Sequence, residues 1–223
     1  MLLQSSGTYD NVVSANRSLG FTGTFFGIPH QTVDVSTNGN FNFNSDATFS
    51  NTPMPTSTAR ISPLWDDLVV SISNESVSEK VESGIYYAVT WRAHQKGTGS
   101  DVIFQAAWFG STTQLKGFNF LAGDIAFSYG FVSGSFSGGD ATIGLDRGNG
   151  FNFVSLPGDE DGSIKNGLVN LLPTNAGQFM LFRPTGVSYN ASIEVIPEPS
   201  PYVLSLAAIV AILYYYRQSR QSA

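Results

Sequence analysis

The chain has no cysteine and only two histidines among its 223 residues. The missing thiols exclude disulfides, thiol catalysis and cysteine-ligated metal centres. A zinc site built from His30, His94 and one carboxylate is arithmetically possible, but the two histidines are not at local ligand spacing, and His30 beside Pro29 is typical of a turn. An extracellular location is not excluded, because a chain of this length can bury a stabilising core without disulfides.

Charged side chains are also scarce. They make up 13% of the chain, with 11 basic and 17 acidic residues and a formal net charge of -6. A nucleic-acid partner would require clustered lysine and arginine to neutralise its phosphates. The composition therefore excludes this class of partner.

The motifs of the common enzyme classes are missing as well. The sequence has no phosphate-cradling loop, dinucleotide fingerprint or metalloprotease helix, and the Ser-rich residues 130–139 lack a nucleophile elbow. Residues 159–164 resemble half of a calcium loop, but Pro157 and Leu168 would occupy its first and last ligand positions. We predict an acidic surface turn with no metal and no cofactor, and calcium at Asp159 and Asp161 is the alternative left open.

What the chain does contain is the composition of strands and turns. Aromatic residues make up 13%, including 17 phenylalanines, and there are 23 glycines. Apolar and polar residues alternate with period two in eight runs: 32–36, 41–43, 85–91, 102–109, 124–129, 141–145, 179–182 and 189–195. Turn signals separate them at Asn38-Gly39, Gly138-Gly139, Asn149-Gly150 and Asn166-Gly167. The pattern predicts one all-β domain, an antiparallel β-sandwich.

Several local features have structural interpretations. Residues 44–62 and the polar, acidic residues 71–83 are predicted to be irregular surface segments. We expect Asn38-Gly39 to be a turn and nothing more, and Trp65 to fill the core. Asp66 and Asp67 point to opposite faces if extended, so at most one of them can join the neighbours of Trp65.

The C-terminal tail has the features of a membrane span. Residues 199–216 carry no charge, and as a helix they would extend about 27 Å against a hydrocarbon core of about 30 Å. Tyrosines at 214–216 suit the membrane interface, and Arg217 and Arg220 act as the membrane stop. We predict one transmembrane helix over 201–216, with a cytoplasmic C-terminus and the β-domain facing outward.

The residues before this span make the tail more specific. Pro197, Glu198 and Pro199, followed by the apolar run and the basic end, resemble the PEP-CTERM sorting signal of bacteria, here residues 197–220. This resemblance implies processing by an exosortase-type enzyme and transient anchoring in the membrane. Residues 1–8 lack the features of a signal peptide. We interpret this as a truncated or misassigned start, the competing interpretation being a chain that stays in the cytoplasm.

The β-domain resembles the nidogen-like extracellular domain. The resemblance rests on ordered segments: 20–43 (GFTGTFFGIPHQTVDVSTNGNFNF), 61–68 (ISPLWDDL), 84–91, 104–105, 141–157 and 177–182. The matching motif positions are Asn38, Gly39, Pro63, Trp65, Asp67, Trp91 and Gln105. Residues 92–95 and 115–121 depart from the family pattern. We divide the chain into a lead-in strand region (1–19), the nidogen-like sandwich (20–187) and a final strand and spacer (188–196) before the sorting signal.

Three functions follow as hypotheses. The first, which the resemblance implies, is a non-catalytic surface protein for cell-matrix adhesion, bound through its loops to exopolysaccharide or to a matrix or surface protein. The second is a lectin-like module that stacks sugars on exposed aromatic candidates, namely Tyr86, Trp91, Trp108 and Phe109. The third is a secreted hydrolase with paired carboxylates drawn from Asp66, Asp67, Asp124 and Asp146.

Overall fold

The protein is all-β. A computed structural model describes residues 2–4, 7–46, 48, 54–71, 74–97, 99–132, 141–155, 163–164 and 177–196. Within these ranges every strand pair is antiparallel and no helix occurs. The predicted fold class is confirmed at this level, and the eight alternating runs all fall on strands.

The larger sheet contains nine strands. They are β1 (Leu3–Gln4), β2 (Tyr9–Asp10), β7 (Leu68–Val70), β8 (Ser76–Glu82), β9 (Tyr86–Gln95), β10 (Asp101–Phe109), β13 (Ile125–Val132), β17 (Gln178–Pro184) and β18 (Tyr189–Val195). Their order is β1-β8-β9-β10-β13-β17-β18, and β7 pairs with both β2 and β9. The long strands β9 and β10 therefore lie near the centre of the sheet.

The smaller sheet contains seven strands. They are β3 (Val13–Phe25), β4 (Ile28–Ser36), β5 (Asn40–Asn42), β6 (Ala59–Trp65), β14 (Ala141–Arg147), β15 (Phe153–Ser155) and β16 (Ser163–Ile164). Their order is β15-β14-β6-β5-β4-β3, with β16 also on β14. Residues 115–121, which depart from the family pattern, fall largely on a separate two-stranded ribbon of β11 (Thr113–Leu115) and β12 (Phe118–Phe120).

The two large sheets pack face to face around one aromatic core. Phe41 of the smaller sheet lies 5.5 Å from Trp91 and 5.7 Å from Tyr87 of the larger sheet, measured between ring centroids. Phe25 approaches Trp108 at 6.1 Å in the same way. Aromatic side chains bury large apolar areas, so these contacts hold the sandwich together and confirm the predicted architecture.

Polar groups of buried aromatic residues also join the sheets. Trp91 Nε1 donates to Ser36 O (2.8 Å), and Tyr129 Oη donates to Pro63 O (2.6 Å). Tyr189 Oη donates to Thr24 O (3.0 Å). Burial raises the pKa of Tyr129 and of Tyr189, so both hydroxyls stay protonated donors at physiological pH.

The turn between β4 and β5, residues 37–39, is buried, which corrects the expectation that Asn38-Gly39 is a turn and nothing more. Asn38 Oδ1 accepts from Leu68 N (3.1 Å), and Asn38 Nδ2 donates to Asn11 Oδ1 (2.8 Å). Asn38 O accepts from Asp66 N (3.2 Å). Buried polar groups need such partners, and here they connect the turn to the crossing from β6 to β7.

Two segments predicted to be irregular contain strands. Residues 71–83 include β8, whose Val77 faces the core, and residues 44–62 include the start of β6. The prediction for β8 was wrong because it relied on polar composition. A strand near the edge of a sheet needs apolar side chains only on the face that points into the core, and it tolerates charged side chains on its other face. Glu79 of β8, for example, forms an ion pair with Arg17 and accepts from Tyr87 Oη at 3.0 Å.

The predicted C-terminal span lies outside the described residues, as do the turn signals at 138–139 and 166–167. Among the residues that are described, no helix has the length and apolarity needed to cross a membrane. The transmembrane helix over 201–216 and the sorting signal therefore stay predictions.

Gly39 provides a test of the buried turn. Its φ is +74°, and a Cβ there would lie 1.9 Å from Leu64 O. We expect Gly39→Ala to lower the free energy of unfolding by more than about 2 kcal/mol, as measured by chemical denaturation. Gly84 is the matched control, since its φ is +75° but nothing lies within 4 Å of an added Cβ. Gly84→Ala should cost only about 1 kcal/mol, and equal losses in the two variants would contradict the role of the turn.

Candidate functional site

A row of three alanines forms the floor of a groove on the outer face of the larger sheet, the face turned away from the core. Ala107 of β10 pairs with Ala88 of β9 on one side and with Ala126 of β13 on the other. Their chain neighbours Tyr87, Ala106 and Phe127 point into the core. Small side chains in register leave a depression, and the groove has a volume of about 760 Å³, within the range typical of ligand sites.

Aromatic side chains form one wall of this groove. Phe120, on the ribbon, stacks on Phe109 with a centroid distance of 4.1 Å and lies 5.5 Å from Phe179. Tyr86 lies 6.0 Å from Phe109 and is half-buried. The ribbon thus packs on the sheet through a second apolar cluster, which positions the wall rigidly against the alanine floor.

Polar side chains continue the floor beside the alanine row. Gln105 lies between Thr90 and Ser128 on the neighbouring strands, and Gln105 Nε2 donates to Thr90 Oγ1 (2.8 Å). An amide carries a second N–H and a carbonyl oxygen. The floor therefore offers both donors and acceptors to a ligand, next to an apolar strip.

Among the described residues, the charged ones that line the groove are both lysines, Lys80 and Lys116. Lys80 pairs with Ala88 at the β8 end of the alanine row, and its Nζ lies 5.3 Å from the Tyr86 ring centroid. Lys116 occupies the turn of the ribbon with a φ of +48°, followed by Gly117 at +82°, as in a type I′ turn. A hydrogen bond to Tyr86 raises the pKa of Lys80, so its ammonium group stays cationic at neutral pH.

The family-motif residues occupy three places. Gln105 lies in the groove. Trp91 is fully buried in the core, and Pro63 lies on β6 with its carbonyl bonded to Tyr129. Asn38 and Gly39 form the buried turn between β4 and β5. Asp67 lies in the crossing from β6 to β7, which bonds to that turn.

Trp65 is buried, but it is not part of the core between the sheets. The Arg60 guanidinium lies 3.9 Å from the Trp65 ring centroid, and Trp65 Nε1 donates to Thr48 O (2.9 Å). Arg60 also forms an ion pair with Asp46. Trp65 therefore stabilises the cover over the outer face of the smaller sheet, because alternation places Leu64 inward and Trp65 outward.

The aromatic candidates for sugar stacking divide between core and groove. Trp91 and Trp108 are 0% exposed in the core between the sheets, so their designation as exposed candidates was wrong. Tyr86 and Phe109 do line the groove. Strand alternation explains the split, since residues an odd number of positions apart on one strand point to opposite faces.

Three of the four candidate carboxylates, those of Asp66, Asp124 and Asp146, are held by separate structural contacts, whereas Asp67 lies apart at the crossing from β6 to β7. Asp66 Oδ2 accepts from Gln95 Nε2 (2.8 Å), and Asp124 forms an ion pair with Arg183 (2.8 Å). Asp146 accepts from Thr56 N (2.5 Å) and Gly148 N (2.7 Å). These contacts give the carboxylates roles in turns and crossings, and none of the four lines the groove.

Neither histidine is in a turn or a metal cluster. His30 lies within β4 and stacks on Phe43 at 4.1 Å, which corrects its assignment to a turn. His94 Nδ1 lies 2.6 Å from Glu75 Oε1. The described part of the chain contains no group of three or more histidine, aspartate or glutamate side chains arranged to hold a metal. The calcium candidates Asp159 and Asp161 lie outside it.

Sequence reasoning missed the groove because its floor depends on register. The sequence shows an alanine at one outward-facing position on each of three strands, where a polar residue is usual. Only the pairing of Ala107 with both neighbouring strands brings these alanines together. Register is fixed by turns and by the core face, which a single sequence does not show.

Comparison with known proteins identifies relatives of this domain. The sequence model of the NIDO-related family matches residues 2–184. Human and mouse alpha-tectorin are each 28% identical over 192 aligned residues, which cover 70% of this chain and 9% of the relative. The chain thus spans about a tenth of the length of these curated relatives. No solved structure matches significantly.

Asp67 provides a test of charge burial at the β6–β7 crossing. Burial raises the pKa of its carboxyl above 3.8, although Lys96 opposes the shift, and Asp67 Oδ1 has no hydrogen-bond partner among the described residues. Because the pKa of this carboxyl is higher in the folded than in the unfolded state, its ionisation lowers the free energy of unfolding at pH values above the unfolded-state pKa. We expect Asp67→Asn to stabilise the protein at pH 7 and the gain to vanish as the pH falls through the folded pKa.

Denaturation across the pH range measures this effect. The exposed Glu82 supplies the control, since Glu82→Gln removes the same charge without relieving a buried one. A neutral or destabilising Asp67→Asn at pH 7 would show that its carboxylate is favourably solvated.

Adjacent alanines on β10 test whether the groove is open. Ala107 lies in the groove, whereas Ala106 is 0% exposed in the core. Ala107→Leu should change the unfolding free energy by no more than about 0.5 kcal/mol, whereas Ala106→Leu should lower it by about 1 to 3 kcal/mol through overpacking. Thermal and chemical denaturation of both variants give the comparison, and a similar loss in both would mean that the groove is closed.

Proposed function

The chain belongs to the NIDO-related family, and on this basis we propose that it is a non-catalytic extracellular domain that attaches a cell surface to its surrounding matrix. The ligand would be an extracellular polysaccharide or a matrix or surface protein. The observation that carries the proposal is the preformed groove on a rigid sheet, lined by aromatic, amide and hydroxyl groups and by no carboxylate among the described residues.

The engagement of the acidic side chains supports a binding role over hydrolysis. A glycosidase needs two carboxyl groups flanking one cleft, about 5 to 10 Å apart. Here Asp124 is paired with Arg183, and Asp146 caps backbone amides at the end of β14. The carboxylates are thus used to hold strands and turns.

The route to the surface is the second part of the proposal. Pro197, Glu198 and Pro199 with the following apolar run would be recognised by an exosortase-type enzyme, and the helix over 201–216 would hold the chain in the membrane until it is processed. The last described strand, β18, ends at Val195, so the motif follows the sandwich almost directly. A processing enzyme could then act close to the folded domain, at the proposed junction of the spacer (188–196) and the signal (197–220).

Mass spectrometry of the natively expressed protein tests this route. We expect the protein in the envelope or the medium, with a chain that ends near Pro197, because removal of the apolar run releases the domain from the membrane. Glu198→Ala should instead leave the tail attached and the protein in the membrane fraction.

Glu194→Ala is the matched control, because Glu194 lies on β18, outside the motif. It should be processed like the unchanged protein. Recovery of the unchanged protein wholly from the cytosol would contradict the extracellular role. Recovery of surface protein with an intact tail would contradict only the proposed removal of the tail.

A further inference from the structure

We propose that the groove binds an acidic polysaccharide, a polymer whose sugar units carry carboxylates. The inference deepens the proposed function, on which it rests, by naming the class of ligand and the residues that would recognise it.

The charge of the groove is opposite to that of the protein. The chain has a formal net charge of -6, yet the charged groups that line the groove in the described part of the chain are Lys80 and Lys116. A local cationic site on an acidic protein attracts anions selectively, because the surrounding surface repels them. The lysines therefore favour an anionic ligand over a neutral one.

Four of the six other cationic residues that the structure describes are in ion pairs, and the remaining two, Arg92 and Arg147, are not among the residues that line the groove. Arg17, Arg60, Lys96 and Arg183 each form an ion pair with a carboxylate: Glu79, Asp46, Asp10 and Asp124 in turn. Within the part of the chain that the structure describes, neither Lys80 nor Lys116 forms one. Lys80 hydrogen-bonds Tyr86 and interacts with the charge of the nearby Glu82, but no carboxylate of the described residues lies in ion-pair contact with either lysine. A ligand carboxylate would therefore gain a charge-assisted hydrogen bond from them.

The neutral lining fits a sugar ring. Tyr86 is half-buried beside the alanine row and close to Phe109, so part of its ring faces the groove. Aromatic faces contact the apolar C–H face of a sugar, while Gln105 and Ser128 can exchange hydrogen bonds with its hydroxyls. The alanine row provides the clearance that a flat ring needs.

The same lining disfavours two other occupants. A purely apolar ligand would bury the Ser128 hydroxyl and the part of the Gln105 amide that is not bonded to Thr90 without offering either a partner, which is costly. Nucleic acid would bring a phosphate at every residue against two lysines on an acidic protein. A carboxylated sugar matches both the small number of cations and the mixed polar and aromatic floor.

Calorimetric titration of the full-length chain, kept in solution with a detergent that contains no sugar, tests the proposal. The probes are an oligogalacturonate and the methyl ester of the same oligosaccharide, which differ only in carboxylate charge. We expect the acid form to bind at least about tenfold more tightly than the ester, equivalent to about 1.4 kcal/mol. Added salt should reduce this difference by screening the exposed lysines.

Charge variants localise the binding. Lys80→Gln with Lys116→Gln should weaken oligogalacturonate binding by at least about tenfold. Lys96→Gln with Arg147→Gln removes the same charge outside the groove and should leave binding within about threefold, since distant charges are screened. Ala107→Leu should block binding by filling the groove while the chain stays folded.

Three outcomes would overturn the inference: equal binding of the acid and the ester, equal losses in the two charge variants, or no binding of either probe. Each of these leaves the extracellular role intact if the protein is found at the surface. Conversely, if the protein is found in the cytosol but binds oligogalacturonate through Lys80 and Lys116, the extracellular role is contradicted while the proposed ligand class of the groove is not.

Discussion

The buried turn between β4 and β5 fixes how the two sheets meet. The chain leaves the smaller sheet at Trp65 and enters the larger one at Leu68, and both sides of this crossing bond to the turn. Leu64 N donates to Gly39 O, Asp66 N to Asn38 O, and Leu68 N to Asn38 Oδ1. Since buried backbone amides must be satisfied, the crossing can pass the turn in one register only.

That register propagates across the larger sheet. Asp66 accepts a hydrogen bond from Gln95 at the end of β9, and Leu68 pairs with the same residue in the β7–β9 ladder. The position of β9 in turn sets that of β10, and with it the alignment of Ala88 with Ala107. A shift of one residue would exchange core and outer faces, so the groove depends on a turn on the opposite sheet.

The outer faces of the two sheets differ in what covers them. On the smaller sheet, Trp65, Arg60 and Asp46 close the surface with a ring, a guanidinium and an ion pair. On the larger sheet, the ribbon covers one end of the face through Phe120, and within the alanine row Ala107 stays partly exposed between the buried Ala88 and Ala126. The proposed binding role therefore falls on the larger sheet, whereas the sequence analysis expects it on loops.

The sequence predicts the strands well and the site poorly, for a physical reason. Alternation located all eight runs, because the period of a strand is a local property of the chain. The same pattern did not reveal β8, because its charged residues outnumber the one valine that points into the core. The sequence also did not predict the bonds of Asn38, because its partners Asn11, Asp66 and Leu68 lie far away along the chain. Lys80 and Lys116 likewise have no sequence signal, since only the fold places β8 and the ribbon turn around one groove.

A site on paired strands has different properties from one on loops. The floor at Ala107 is held by ladders on both sides, and the ring of Phe109 is held by stacking on Phe120. Binding to such a surface requires little ordering of the protein, so less of the interaction free energy is lost to conformational entropy. The lysines are the adjustable part, because their stems can reorient while the floor stays fixed. A rigid floor with two mobile cations suits a polymer that repeats one charged unit, since any segment of the chain can occupy the groove.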